Sequence, residues 1–178
     1  MNRWIRLIAA VISMAMIGNL QYAWTMCVQP LMTAHHWKLS EVQWGFTVFI
    51  AVMTWTMPLS GWFIDKLGPR IMYAFAVAWW SVFTALSAVA SGFTSLFGYR
   101  LGLGVGESAA YPANAKVVSR WFPIRERAFA TSIYDSGARV GTAVSIPLVA
   151  FIIAGLGRRA SFVITGVIGF IWVVVWFL

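Results

Sequence analysis

The chain has 178 residues, of which 61% are hydrophobic and only 10% are charged. Water-soluble domains are about 45–50% apolar and about 25% charged, so this composition excludes soluble, disordered, collagen-like and coiled-coil classes and predicts a protein of the lipid bilayer. The net charge is +8, but the cations stand between apolar stretches, so they are expected to anchor the chain in a membrane and not to bind nucleic acid.

Six apolar runs are each long enough to cross about 30 Å of hydrocarbon as a helix. They cover residues 7–32, 42–63, 71–91, 95–119, 128–154 and 160–178. The first run is too long for a signal-peptide core and has no small-residue cleavage site, so we expect it to remain as a spanning helix. The sequence therefore predicts an all-α membrane protein with six transmembrane helices and no soluble domain.

The loop cations predict the orientation. With a cytoplasmic N-terminus, eight Lys and Arg residues lie on the inner side and three on the outer side. Because the side richer in Lys and Arg stays in the cytoplasm, we expect the N-terminus there. The inner set is Arg3, Arg6, Lys66, Arg70, Lys116, Arg120, Arg125 and Arg127, and the outer set is Lys38, Arg158 and Arg159.

Short signals predict where helices begin and end. Ser40 and Gln43 have the spacing of a capping box, which predicts that the second helix starts near Ser40. Gly68-Pro69 and Phe122-Pro123 predict inner turns, and residues 155–157 predict an outer one. The chain ends on the apolar stretch 171–178 with no basic cap, so we expect either one half of a longer protein or a shortened sequence.

Residues 61–70 resemble the signature loop of the major facilitator superfamily, Gly-x-x-x-Asp-Arg/Lys-x-Gly-Arg/Lys-Arg/Lys. The matching residues are Gly61, Asp65, Lys66, Gly68 and Arg70. Pro69 replaces one cation of the family pattern. The resemblance implies a conformational latch between two transporter halves, with glycines that let helices approach closely. The alternative interpretation is an ordinary positively charged inner turn that carries an Asp.

Residues 100–112 resemble the fourth-helix motif of the same superfamily, and more narrowly that of its anion:cation symporter branch. The turn at 120–127 and the segment 134–137 extend this resemblance. It implies two inverted three-helix repeats and transport of a small organic anion, such as a sugar acid, by alternating access. It also implies no enzymatic activity, no cofactor, a bacterial inner membrane, and a substrate site completed by a C-terminal half or a second copy.

The first helix departs from that branch. The symporters typically have an Asp-Arg pair after Tyr-Ala, whereas here Tyr22-Ala23 is followed by Trp24-Thr25. This segment is more similar to the oxalate/formate antiporter branch. Symport, exchange and uniport therefore stay open, and Glu107 becomes the main candidate for a proton carrier.

Polar residues within the fourth and fifth predicted helices indicate a site inside the membrane independently of the resemblance. Arg100, Glu107 and Asn114 are seven residues apart and are expected to share one helix face. Arg139 lies at a depth that matches Glu107. Three arrangements are open: a Glu107–Arg139 pair, a site with net positive charge that includes Arg100, or neutralisation of Arg139 by Asp135, one turn away. Fixed structural ion pairs are the alternative to a transport pathway.

The expected site residues fall into two groups. For substrate binding they are Arg100, Arg139, Tyr22, Gln21 and Asn114, and for proton coupling Glu107 and Asp135. Gly98, Gly102 and Gly106 repeat every four residues, which predicts close helix packing.

Single residues raise three further possibilities. Adjacent His35 and His36 make a poor chelate, so no metal site is expected. The single Cys27 excludes an internal disulfide. An intramembrane hydrolase that uses Ser108 lacks a base to activate the serine, while a half-transporter that acts only by assembly remains the main rival.

Overall fold

A computed structural model describes residues 3–22 and 24–177, without the side chains of Arg6, residues 18–22 and His35. Within that part of the chain every regular element is helical. The elements are α1 (Arg3–Tyr22), α2 (Trp24–His35), α3 (Leu39–Leu67), α4 (Pro69–Leu86), a 3₁₀ turn (Ser87–Val89), α5 (Phe93–Glu107), α6 (Ala110–Trp121) and α7 (Ile124–Phe177). The prediction of an all-α fold is confirmed.

Three helical stretches of the described chain are long and apolar enough to cross a membrane. They are α3, α4 with its 3₁₀ extension to Val89, and α7. Gly157 interrupts α7 with φ 81° and ψ 168°, so the segments before and after it are separate helices. Glycine adopts a positive φ without steric cost, which explains the break at the predicted outer turn. The count of six membrane helices and the orientation of the N-terminus stay predictions.

The predicted fourth helix, 95–119, corresponds to α5 and α6, which are separated at Ser108 and Ala109. Pro112 has no backbone N–H to donate to the carbonyl of Ser108, and its ring crowds that carbonyl. Ser108 and Ala109 keep right-handed helical dihedrals. The interruption is therefore a gap in the hydrogen-bond ladder and not a turn.

The start of α3 differs from the predicted capping box. The helix begins at Leu39, and the backbone N–H of Lys38 donates to Glu41 Oε2 at 2.8 Å. Ser40 and Gln43 do not form the box, because the N-cap is Lys38, two residues before Ser40, and this places Glu41 at the third helical position. A carboxylate there also interacts favourably with the helix dipole. The predicted turn at Gly68-Pro69 is confirmed, with Gly68 at φ 83°.

Large apolar side chains lie both in the interior and on the surface. Met14, Phe49 and Trp80 are buried between helices, whereas Trp55 and Phe151 are 82% and 78% exposed. Exposed apolar side chains of this size are costly in water and suited to lipid. With the long apolar helices, this arrangement is that of an integral membrane protein.

Glycines of α5 determine how closely neighbouring helices pack. A Cβ on Gly104 would lie 2.7 Å from the carbonyl oxygen of Phe49 in α3, and one on Gly106 would lie 2.7 Å from Trp79 Cδ1 in α4. Gly102 packs against Phe83, but Gly98 has open space around it. The predicted glycine repeat is therefore correct for its second and third members and wrong for Gly98.

Candidate functional site

Two charged residues are buried on α5. Arg100 is 2% exposed and Glu107 is 1% exposed, and the two interact electrostatically. Asn114, on α6, is 0% exposed. The predicted polar stripe is therefore buried inside the bundle, on both sides of the interruption at Ser108.

The guanidinium of Arg100 stacks on an aromatic ring from α2. Its Cζ lies 3.7 Å from the centroid of the Trp24 ring. Arg100 and Trp24 line a small, partly open cavity of about 30 Å³. Side chains of α2, α4, the 3₁₀ turn, α5 and α7 complete its wall, among them Cys27, Thr84, Ser87, Ser161 and Thr165.

Asn114 joins α6 to α4. Its Nδ2 donates to the hydroxyl oxygen of Tyr73 at 3.2 Å, while its Oδ1 has no hydrogen-bond partner among the described residues. Tyr73 is itself buried against the rings of Trp80, Trp172 and Trp176. The free acceptor of Asn114 can therefore receive a further donor, although the amide is already anchored.

Arg139 is not brought together with Glu107. Its side chain is 85% exposed, and Nη2 lies 3.8 Å from Asp135 Oδ2, one helical turn away. Gly137 faces α1, where an added Cβ would lie 2.6 Å from the carbonyl oxygen of Val11. Arg139, two residues further along α7, points away from that contact. The predicted Glu107–Arg139 pair is therefore wrong, because the Arg139 side chain is exposed while that of Glu107 is buried.

Two of the predicted substrate contacts cannot be placed. Tyr22 and Gln21 lie at the C-terminal end of α1, but their side chains are outside the described part of the structure.

The signature loop joins α3, α4, α6 and the end of α7. Asp65 accepts a hydrogen bond from Lys116 Nζ on α6. Lys66 Nζ lies 3.8 Å from the centroid of the Trp62 ring, and Arg70 Nη2 donates to the carbonyl oxygen of Phe177 at 3.2 Å. Gly61 and Gly68 have no neighbouring atoms within 4 Å of an added Cβ. The expectation that these glycines bring helices close together is wrong for the described chain.

Trp24 and Lys116 are the partners that sequence reasoning missed. In the sequence, Trp24 stands out only because the symporters have an acid at its position, and Lys116 only as an inner-side cation. Ser108, the residue of the hydrolase alternative, shares a hydrogen bond with Ser60 and donates to the carbonyl oxygen of Val105. Within the described residues, no group of three His, Cys, Asp or Glu side chains is placed to hold a metal ion.

Fold and site together define a helical membrane protein that buries charge in its interior. The family model of the Major Facilitator Superfamily matches residues 7–178. The chain belongs to this family, as the signature motifs predicted. The matched family and relatives are transporters, so the chain is not an enzyme.

Several curated relatives are similar to most of the chain. The D-galactonate transporter of Escherichia coli O6:H1 strain CFT073 is 39% identical over 78% of this chain and 32% of its own length. The hexuronate transporter of Escherichia coli K12 is 32% identical over 78% of this chain and 33% of its length. The oxalate:formate antiporter of Oxalobacter formigenes is 30% identical over 94% of this chain and 40% of its length.

Solved structures support the fold. The inward-facing, occupied crystal structure of a bacterial homolog to the human lysosomal transporter Spinster superposes with a TM-score of 0.82 at 21% identity. The match covers 98% of this chain and 43% of the other. The chain therefore has the transporter fold, and it spans about a third to two fifths of the length of these curated relatives.

Proposed function

We propose that residues 1–178 form the N-terminal transmembrane half-domain of a secondary active transporter for a small organic anion, such as a sugar acid or another carboxylate. Transport occurs by alternating access and is coupled to protons. The half-domain has six membrane helices in two inverted repeats, and it lies in a bacterial inner membrane with its N-terminus in the cytoplasm. The transporters named above handle anions of this class, which supports the choice of substrate.

The observation that carries the proposal is the burial of Arg100 beside a cavity. A cation inside a membrane bundle costs about 2.5–3.5 kcal/mol on insertion scales. Arg100 is 2% exposed and borders the cavity. A guanidinium is suited to bidentate recognition of a carboxylate. Arg100 is therefore the proposed primary contact for the substrate anion.

Other residues extend the proposed binding site. Asn114 offers its free carbonyl oxygen to a substrate hydroxyl, and Gln21 and Tyr22 at the end of α1 are proposed as further substrate contacts. Arg139, exposed on α7, would face the other half of the transporter. In this role it attracts the anion before it reaches Arg100.

Glu107 is the proposed proton carrier. It is buried on the same helix as Arg100, and its electrostatic neighbours include Arg100 and Tyr73. Protonation removes its charge, which allows the substrate carboxylate to take over the pairing with Arg100 while the half-domains rock. Asp135 is the second candidate and acts through Arg139.

The signature loop is proposed to act as the latch between conformations. Asp65 ties the α3–α4 turn to α6 through Lys116. Lys66 and Arg70 extend this polar layer, and Gly68 provides the turn. Because the added Cβ of Gly61 meets open space, its proposed role is contact with the partner half.

The proton role is tested by uptake of D-galactonate into proteoliposomes at pH 6 and pH 8. Wild-type uptake is expected to be faster at pH 6, and Glu107→Gln is expected to abolish that difference. Glu126→Gln is the matched control, because Glu126 pairs with Arg3 at 2.9 Å on a different part of the fold. An unchanged pH dependence in Glu107→Gln would refute the coupling role.

Exchange of two anions is the second candidate, favoured by the similarity to the oxalate:formate antiporter over 94% of the chain. In that case uptake requires an anion on the opposite side of the membrane. Preloading the vesicles with D-galactonate would then accelerate uptake at both pH values, whereas proton symport needs no internal anion.

The rival to transport is a half that acts only by assembling with a second copy or with another half-transporter. The intact mass of the protein from its host membranes separates the cases, since these residues account for 19.8 kDa. A mass near twice that value supports a C-terminal half in the same chain. A mass of 19.8 kDa, with no uptake by the purified protein, would favour the rival.

A further inference from the structure

Two buried N–H donors lie side by side at the cavity. Trp24 is 3% exposed and Arg100 is 2% exposed, and the guanidinium lies over the indole ring. Trp24 Nε1 and Arg100 Nε both lack a hydrogen-bond partner among the described residues. Buried donors without acceptors are rare in folded proteins because they lose their hydrogen bonds to water. Their shared position at one cavity indicates an acceptor that both can bind.

The charge of Arg100 has few acidic neighbours. The first acid in the sequence is Glu41, so neither α1 nor α2 supplies a carboxylate. Four of the five acids make contacts elsewhere, namely Glu41 with the Lys38 backbone, Asp65 with Lys116, Glu126 with Arg3 and Asp135 with Arg139. The remaining acid, Glu107, lies two turns from Arg100 on the same helix. The face of the Trp24 ring therefore provides the direct contact that stabilises the cation.

The hydroxyl groups that line the cavity are available as hydrogen-bond acceptors, in contrast to the N–H donors of Trp24 and Arg100. Thr84 donates to the carbonyl oxygen of Trp80, Ser87 to that of Phe83 and Thr165 to that of Ser161. Because each proton is used within its own helix, the oxygen lone pairs are what remains for a ligand. The cavity thus combines N–H donors at one place with hydroxyl acceptors on α4, the 3₁₀ turn and α7.

We propose that Trp24 positions Arg100 and binds the substrate together with it, and that the cavity selects a hydroxylated carboxylate. The indole ring fixes the guanidinium, the Nε1–H of Trp24 and the Nε–H of Arg100 donate to the carboxylate, and Thr84, Ser87 and Thr165 accept from substrate hydroxyls. This inference rests on the proposed transport of an organic anion. It adds Trp24 to the site and predicts a preference for sugar acids over oxalate.

The cation–π contact between Arg100 and the Trp24 ring can be weakened with little change in the shape of the ring. Trp24 is replaced with mono-, di- and trifluorotryptophan, which withdraw electron density from the ring and weaken a cation–π contact. The protein is reconstituted in lipid nanodiscs, and the Kd for D-galactonate is measured. We expect the Kd to rise with each fluorine, to about tenfold for the trifluoro ring, because a desolvated cation–π contact accounts for up to about thirtyfold in affinity.

Trp24→Phe distinguishes the contribution of the indole N–H donor from that of the aromatic ring. It keeps an aromatic face but lacks the indole N–H, so its Kd is expected to rise further than its weaker stacking alone explains. Trp80, buried against Tyr73, is the matched control for fluorination and for substitution by Phe. A Kd that is flat across the fluorinated Trp24 series would overturn the positioning role.

A separate variant tests the predicted preference for substrates that carry hydroxyl groups. Thr165→Val keeps the side-chain shape and removes the acceptor oxygen. It is expected to weaken D-galactonate binding about three- to tenfold and to leave oxalate binding unchanged. Equal or tighter binding of oxalate to the wild type would overturn the predicted selectivity.

A thermal-stability cycle distinguishes failure of this inference from failure of the transport proposal. Fluorination of Trp24 is expected to lower the Tm in the wild type but not in Arg100→Gln. Absence of this coupling would overturn the stack whether or not anions bind. If the coupling is present but the wild type binds neither D-galactonate nor oxalate, the proposed function fails and the substrate role of Trp24 fails with it.

Discussion

Lys116 on α6 donates a hydrogen bond to Asp65 near the end of α3, which ties the signature loop to a helix 51 residues further along the chain. Both side chains are partly exposed, at 34% and 62%. Exposed ion pairs contribute about 0–1 kcal/mol to stability. We therefore expect this contact to hold the loop and α6 in a fixed relative position and to add little to the folding free energy.

Breaking this ion pair should affect transport more than stability. Asp65→Asn and Lys116→Met are each expected to reduce uptake of D-galactonate about tenfold, while unfolding free energy changes by less than about 1 kcal/mol. The double variant should be no slower than the single ones, because both remove the same contact. Arg3→Gln is the control, since its pair with Glu126 is similarly exposed. Equal losses of uptake in the control would contradict a specific latch.

Gly104 and Gly98 should respond in opposite ways to alanine. Gly104→Ala places a Cβ 2.7 Å from the Phe49 backbone oxygen, so α3 and α5 must separate, and we expect a loss of about 1–3 kcal/mol. Gly98→Ala meets open space and should be neutral or gain up to about 1 kcal/mol from helix propensity. Reversible unfolding in detergent measures both, and equal destabilisation would show that the α3–α5 contact is not tight.

Arg139→Gln tests the proposed substrate role of Arg139. Because this side chain is exposed, its substitution should affect function without affecting folding. At 85% exposed and 3.8 Å from Asp135, Arg139 should contribute less than about 1 kcal/mol to stability. If it faces the substrate path, the KM for D-galactonate should rise about tenfold with little change in Tm. Arg120→Gln, another exposed cation, should leave KM unchanged. An unaltered KM in Arg139→Gln would remove Arg139 from the proposed site.

The sequence predicted the burial of Arg100 and Glu107 but not what surrounds them. Their spacing of seven indicates a shared face because helical periodicity is a local property. The predicted depth of Arg139 carries no information about its direction, which depends on which face of α7 packs against α1. That choice is made by Gly137 and its neighbours, through contacts between distant segments.

The family, the helical fold and the location in a membrane follow from the sequence itself, because composition, apolar runs and the loop motif at 61–70 are encoded along the chain. The pairing of Arg100 with Trp24 and of Asp65 with Lys116 was decided only by the tertiary structure. Each contact joins residues more than 50 positions apart, so it depends on how helices pack and rotate against one another. Local pattern determines which segments become helices; the packing of side chains in three dimensions determines which of their charges meet.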